Sequence, residues 1–414
     1  MSKNNKGNVF AIAIMFFLFA MISFVTGLQN PMGIIAKAQF GATNLMSQLG
    51  NAANFIAYAF MGLPAGFLLK GKGYKFTALA AIAVGFIGVG ISYLSGIFGS
   101  FAIYLLGAFV SGFSMCMLNT VVNPMLNTLG GGGNRGNQLI QLGGSCNSLA
   151  ATIVPVLAGY LIGEVTEKTQ VADVNPALFT AMGIFALAFT IILFSNIPEP
   201  ELSESDNQPK ENILDSIKGA ISHKNLVFGV IAIFLYVGIE VGIPNIANLY
   251  MTDVNGLNIA TGIAGTLVGA YWFLMLCGRL IAGAIGGKVS SRAMIIAVSA
   301  AGIIFLLAGM FLPKSIVVNV LDAQVPFAIL FFILCGLCTS VMWGAIFNLA
   351  VEGLGKYTSI ASGLFMVMVC GGGILPLVQG AVVDYAGYMN SYWVLVAALA
   401  FILWFGLIGS RTNK

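Results

Sequence analysis

Apolar runs of twenty or so residues follow one another along the 414-residue chain, at about 8–28, 47–69, 76–96, 101–128, 138–163 and 177–195. Each can cross a bilayer as a helix, which takes about 20 residues. From 196 to 225 the pattern inverts. Pro198, Pro200 and Pro209 stand there among Glu199, Glu201, Glu204, Asp206, Lys210, Glu211, Asp215, Lys218 and Lys224, as in a solvated linker. Six more runs follow at about 226–250, 259–285, 293–312, 325–350, 359–382 and 389–408. Spanning strands would instead show segments of about ten residues with alternating polarity. The pattern therefore predicts an all-α membrane protein with twelve transmembrane helices in two six-helix bundles. The expected units are residues 1–195 and 226–414, joined by a cytoplasmic linker over 196–225.

Composition strengthens this reading. Charged residues make up 8% of the chain against roughly 25% in an average soluble domain, apolar residues make up 58%, and there are 52 glycines. The net charge of +4 comes from scattered basic residues and does not suggest nucleic-acid binding. Their placement is more telling. With both termini inside, the inner loops collect Lys3, Lys6, Lys70, Lys72, Lys75, Arg135, Lys210, Lys218, Lys224, Arg279, Lys288, Arg292, Lys356, Arg411 and Lys414, leaving Lys37, Lys168 and Lys314 outside. Such a bias fits a multi-pass protein of a bacterial-type cytoplasmic (inner) membrane with cytoplasmic termini. The first run lacks a small-residue cleavage site and reads as a retained helix. The six cysteines fall inside apolar runs, where small buried side chains are expected.

The halves echo each other. Ala65–Gly66 and Lys75 recur 217 residues later as Ala282–Gly283 and Arg292, and Pro155 and Gly159 recur 221 residues later as Pro376 and Gly380. Parallel six-helix repeats place a substrate site near the midplane between the halves. Two such repeats enclose that site within one chain, so a monomer is expected. A channel would be expected to oligomerise or to carry a charged filter ring.

The order and spacing of several strings resemble the major facilitator superfamily and, within it, the fucose:proton symporter family of bacterial fucose, glucose/galactose and N-acetylglucosamine permeases. The strings are FVTGLQN (24–30), NTVVNP (119–124), Asn147–Ser148, YVGIE (236–240), Tyr271–Trp272 ahead of Gly278–Arg279, Leu354–Gly355, and Gly371–Gly373 followed by Pro376. The resemblance covers essentially the whole chain and implies a sugar carrier. Two positions depart from it: Asn30 stands where the family usually has aspartate, and Asn119 where it often has glutamate or, in the glucose type, glutamine. In fucose permeases those two acids are associated with proton coupling, and both positions are neutral here.

Polar side chains within spans tend to face the bundle interior, so they outline a lumen. Neutral amides dominate. The expected substrate contacts are Asn30, Asn51, Asn119, Asn123, Gln141 and Asn147 from the first half. From the second half they are Asn245, Asn248, Tyr271, Trp343 and Gln379. Amides both donate and accept, and aromatic faces cover the C–H side of a sugar ring. A neutral monosaccharide, a hexose or N-acetylhexosamine, is therefore the expected substrate. Another small neutral polar solute is the alternative. An anionic substrate would call for a mid-membrane Lys or Arg, and the sequence pattern places none there.

Glu240 is the one carboxylate placed deep in a span, roughly 21 Å from the inner start of its helix at 1.5 Å per residue. No acid occurs before Glu164, so any coupling cation is expected to act through Glu240. The cation would be a proton, or a sodium ion held also by Asn245; similar YVG-x-E strings in glucose-type relatives favour sodium. An uncoupled facilitator is the rival. Arg279 is expected near the inner helix end as part of a gate motif with Lys75 and Arg292, separated from Glu240 by more than about 10 Å of depth. Beyond a coupling ion no cofactor is expected. The single His223 lies in the linker, and Gly130–Gly133 lack the Lys-Ser/Thr of a phosphate cradle, so nothing points to an enzyme.

Overall fold

The computed structural model describes residues 3–28, 32–33, 35, 39, 41–130, 133–162, 170–199, 213–285, 289–354 and 358–411. The spanning helices are α1 (Lys3–Gly27), α2 (Leu49–Leu69), α3 (Gly71–Phe98), α4 (Phe101–Leu129), α5 (Gly133–Ile162) and α6 (Asn175–Phe194). They continue as α7 (Lys224–Thr252), α8 (Thr261–Ile285), α9 (Ser291–Phe311), α10 (Phe327–Val351), α11 (Gly363–Ala386) and α12 (Tyr388–Gly409). Eleven of these are long and apolar enough to cross a membrane, and α5 adds the apolar stretch Leu142–Ala158. Their bounds lie within a few residues of the hydrophobic runs. Phe98, Phe194 and Ile304 are among the large apolar side chains left exposed, as suits a lipid-facing perimeter.

Local chemistry sets the helix ends. Ser100 and Ser290 accept hydrogen bonds from the backbone N–H of Ile103 and Ala293, capping α4 and α9. Gly99, at φ +60°, ends α3 in the left-handed conformation that glycine tolerates best. Features that hydropathy did not show include a one-turn helix at Asn44–Ser47, a short helix at Ile213–Ile221, and a break in α10 near Ser340. A two-stranded antiparallel hairpin, β1 (Val317–Val320) and β2 (Ala323–Pro326), precedes α10.

Small residues let the helices approach closely, which is how spans pack when lipid is no less apolar than their side chains. A Cβ on Gly107 of α4 would lie 2.6 Å from the backbone nitrogen of Ser92 in α3. The same device joins the halves. A Cβ on Gly269 of α8 would lie 2.8 Å from the Thr152 carbonyl oxygen of α5, and one on Gly373 of α11 would lie 2.8 Å from Cα of Ala52 in α2.

The internal echo has a structural counterpart. The Lys75 ammonium donates to the Ser195 carbonyl at 2.8 Å, and Arg292 donates to the Ser410 carbonyl at 3.4 Å. Each cation begins the third helix of its half and bonds to the chain just after the sixth. The Glu199 carboxylate also accepts from the backbone N–H of Tyr74 (2.6 Å) and Lys75 (2.9 Å), so it caps the turn that follows Gly73.

The end that charge bias assigns to the outside is tied across the halves. Asp384, near the end of α11, accepts from the Asn44 backbone N–H (2.8 Å), the Asn44 side-chain amide (2.7 Å) and the Leu45 backbone N–H (2.8 Å). The Tyr388 hydroxyl donates its hydrogen to the Asp253 carboxylate at the end of α7 and lies 3.0 Å from Asn44 Oδ1.

Candidate functional site: a central cavity between the halves

A cavity of about 230 Å³ lies between α1, α2, α4 and α5 on one side and α7, α8, α10 and α11 on the other. It falls below the roughly 300–1,000 Å³ typical of drug-sized ligands and suits a small solute. Its walls follow the helical repeat. Phe19, Ile22, Ser23 and Thr26 form one face of α1; Asn51, Phe55 and Tyr58 one face of α2; Asn119 and Asn123 one face of α4; and Ile140, Gly144, Asn147 and Ala151 one face of α5. Opposite them stand Tyr236 and Glu240 one turn apart on α7, and Trp272 and Arg279 two turns apart on α8.

Of the expected contacts, Asn51, Asn119, Asn123, Asn147, Asn245, Trp343 and Glu240 line this space. Three others do not. Tyr271 is fully buried, with its hydroxyl donating to the Glu240 carbonyl (3.1 Å) and 3.1 Å from Thr339 Oγ1; its neighbour Trp272 faces the cavity. Consecutive helix residues point about 100° apart, so the string Tyr271–Trp272 can give only one ring to the lumen. Gln379 is fully buried against Gly242, and Asn248 is buried on α7 away from the lining. Asn30 and the Gln141 side chain lie outside the described residues. Lys75 and Arg292 tie the third helix of their own halves to the chain after the sixth, as described above, and do not line the cavity.

Arg279 corrects the sequence reading. Its guanidinium lies 3.6 Å from the Glu240 carboxylate, where a direct pair was not expected, and it lines the cavity. It also donates from its other terminal nitrogen to the Gly144 carbonyl (2.7 Å) and the Ser148 hydroxyl (2.8 Å) of α5. With α7 and α8 joined by the turn at 253–260, residue counts along the two helices leave an axial offset of about 9 Å between the two Cα positions. The long arginine stem spans it, because such side chains can lie along apolar surface while the charged head finds its partner. Counting depth by Cα alone hid this reach. The cavity thus holds a cation after all, with its counter-anion beside it.

Several lining residues were not singled out from the sequence: Phe19, Phe55, Tyr58 and Ser340. Tyr58 accepts from the Asn119 amide at 2.9 Å and stands two turns after Asn51 on the same face, a spacing that could have found it. Asn54, three residues after Asn51, instead points away and donates to the Ala108 carbonyl at 3.2 Å. Among the described residues, three side chains bond across the cavity region between halves: Asn51 to the Gly372 carbonyl (2.8 Å), Asn245 to Gln48 (3.4 Å), and Arg279 to Gly144 and Ser148 of α5.

A helical membrane chain of two six-helix sets around a central polar cavity is the architecture of a solute carrier. The sequence profile of the Major Facilitator Superfamily matches residues 12–376, and the chain belongs to that superfamily, whose members are transporters and not enzymes. It is 29% identical over 415 residues to a protein of Brucella abortus (strain 9-941) named glucose/galactose transporter, covering 99% of this chain and 96% of that one. It is 26% identical over 422 residues to a putative glucose/galactose transporter of Helicobacter pylori (strain 26695), covering 98% of each. Among solved structures, a variant of the E. coli fucose:proton symporter superposes with a TM-score of 0.73 at 19% identity, covering 98% of this chain and 100% of that one. The nucleoside transporter NupG superposes at 0.67 and 13%, covering 97% and 98% respectively. These structural likenesses confirm the fold.

Proposed function

We propose that this chain imports a neutral monosaccharide, a hexose or N-acetylhexosamine, across a bacterial inner membrane by alternating access. The observation that carries the reading is the cavity itself, a space of small-solute size walled by neutral amides and aromatic rings. Its one arginine is matched by a glutamate, so the walls carry no net call for an anion. The names of the Brucella and Helicobacter relatives support a hexose. In this reading both termini are cytoplasmic, the chain works as a monomer, and the functional units are residues 1–195 and 226–414 around the 196–225 linker. The substrate contacts are Asn51, Asn119, Asn123, Asn147, Asn245 and Trp343, joined by Trp272 and Tyr58.

Coupling acts through Glu240. A ligand shifts a conformational equilibrium only by its differential affinity for the two states. A cation on Glu240 competes with Arg279, which in turn is bonded to the opposite half, so cation occupancy and the inter-half contact are linked. The cation is a proton or sodium. Uptake into proteoliposomes separates the alternatives: sugar accumulation driven by a sodium gradient, accumulation driven by a pH gradient, or equilibration alone. The last result would make the protein an uncoupled facilitator, and no uptake of any sugar would overturn the reading.

A further inference from the structure

The first-half wall carries more information than its composition. Each of its four amides turns its nitrogen to protein, Asn119 with both N–H hydrogens and Asn51, Asn123 and Asn147 with one each. Asn51 donates to the Gly372 carbonyl (2.8 Å), Asn119 to the Tyr58 hydroxyl (2.9 Å) and the Met115 carbonyl (3.1 Å), Asn123 to the Asn119 carbonyl (2.9 Å), and Asn147 to the Phe19 carbonyl (3.0 Å). A backbone carbonyl can only accept, so these partners fix the amide orientation: nitrogen toward protein, oxygen away from it. None of the four Oδ1 atoms is buried without a partner. No described residue donates to any of the four, so each keeps accessible surface beside the cavity its residue lines. Thr26, on the same side, donates its hydroxyl hydrogen to the Ile22 carbonyl at 2.9 Å and likewise turns lone pairs outward. The Tyr58 hydroxyl, which accepts from Asn119, keeps its hydrogen.

We infer that the first half presents an acceptor wall, and that the substrate is recognised there as a donor of several hydrogen bonds through its hydroxyl groups. This rests on the sugar reading above and refines it. A wall of amide oxygens disfavours anions and solutes that only accept, and it rewards a ligand carrying a row of O–H groups. Arg279 does not reverse this preference. Its terminal nitrogens face Glu240, Gly144 and Ser148. Ring faces of Trp272 and Trp343 remain for the apolar side of the solute.

The consequence is a specific pattern among analogues. Fluorine in place of a hydroxyl keeps a weak acceptor and removes the donor, whereas hydrogen removes both. Where the hydroxyl donates to an amide oxygen, the fluoro and deoxy analogues lose affinity alike, by about threefold to tenfold for one neutral hydrogen bond. Where the hydroxyl accepts, fluorine recovers part of the loss. The test is binding of D-glucose, D-galactose and their deoxy and deoxyfluoro derivatives at positions 2, 3, 4 and 6 to the purified full-length protein. The expected result is that at least three positions show equal losses for the paired analogues. Parent sugars that bind, with fluoro analogues retaining affinity at most positions, would overturn the acceptor wall and leave the sugar reading standing. Failure of both parent hexoses and of N-acetylglucosamine to bind would overturn the sugar reading and the acceptor wall with it.

Discussion

Arg279 reaches Glu240 with one terminal nitrogen at 3.6 Å and the α5 backbone at Gly144 with the other at 2.7 Å, so one side chain touches both walls of the cavity. The two charged side chains are 14% and 16% exposed. Removing either partner leaves a charge uncompensated in a partly wet site. The stability cost is expected near 2 kcal/mol, below the roughly 3–5 kcal/mol of a fully buried broken pair. Glu240→Gln and Arg279→Gln are each expected to cut gradient-driven accumulation more than tenfold. The double variant should exchange sugar in counterflow faster than either single one. A double variant no better than the worse single would show that the pair is not a functional unit.

The outer tie makes a second prediction. Asp384 holds two backbone N–H groups at the start of the Asn44–Ser47 helical turn, where negative charge is favoured, and these bonds exist only with the outer ends together. Asp384→Ala is expected to shift the population toward an outward-open form. A cysteine placed at Thr26 in a chain lacking its native cysteines should then react about threefold to tenfold faster with an impermeant thiol reagent added outside, a shift of roughly 1 kcal/mol. An unchanged rate would remove Asp384 from the gate.

A close glycine contact between α11 and the Asn44–Ser47 turn gives a third. A Cβ at Gly380 would fall 2.7 Å from the Asn44 carbonyl oxygen, and backbone there cannot yield as a flexible side chain would. Gly380→Val is expected to favour the outward-open form more strongly than Asp384→Ala does, in the same labelling assay. Labelling as slow as in the parent would mean that the turn accommodates the added side chain without opening the contact.

The sequence made the helices and their spacing legible because apolar runs of membrane length have few alternative readings. Asn51, Asn119, Asn123, Asn147, Glu240 and Asn245 were also legible as lumen residues, since polar groups avoid lipid. Three things were not. The rotation that turns Trp272 inward and Tyr271 into the packing depends on how α8 meets α7 and α10. The Arg279–Glu240 contact depends on side-chain reach across two helices. The outward turn of the four amide oxygens depends on which carbonyls lie behind them, including Gly372 from the other half.

At the start of α3, Glu199 caps the turn after Gly73 through two backbone N–H groups, while Lys75 ties the same turn to Ser195. Glu199→Gln keeps the size and loses the charge. Its expected cost is about 1 kcal/mol, as for a lost helix cap, and is read as a lower melting temperature of the detergent-purified protein. Substrate affinity should stay unchanged, because Glu199 is remote from the cavity. A large loss of affinity with intact stability would mean that this turn reports to the site directly.

In the proposed reading the cavity takes a neutral polyhydroxyl solute. Equilibrium binding to the purified protein across hexoses, N-acetylhexosamines, nucleosides, neutral amino acids, hexuronates and sugar phosphates tests it most directly. Saturable binding of at least one neutral hexose or N-acetylhexosamine is expected, weakened at least tenfold in the Asn123→Ala variant, with hexuronates and sugar phosphates excluded. Tight binding of an anion through Arg279, with no neutral sugar bound, would contradict it.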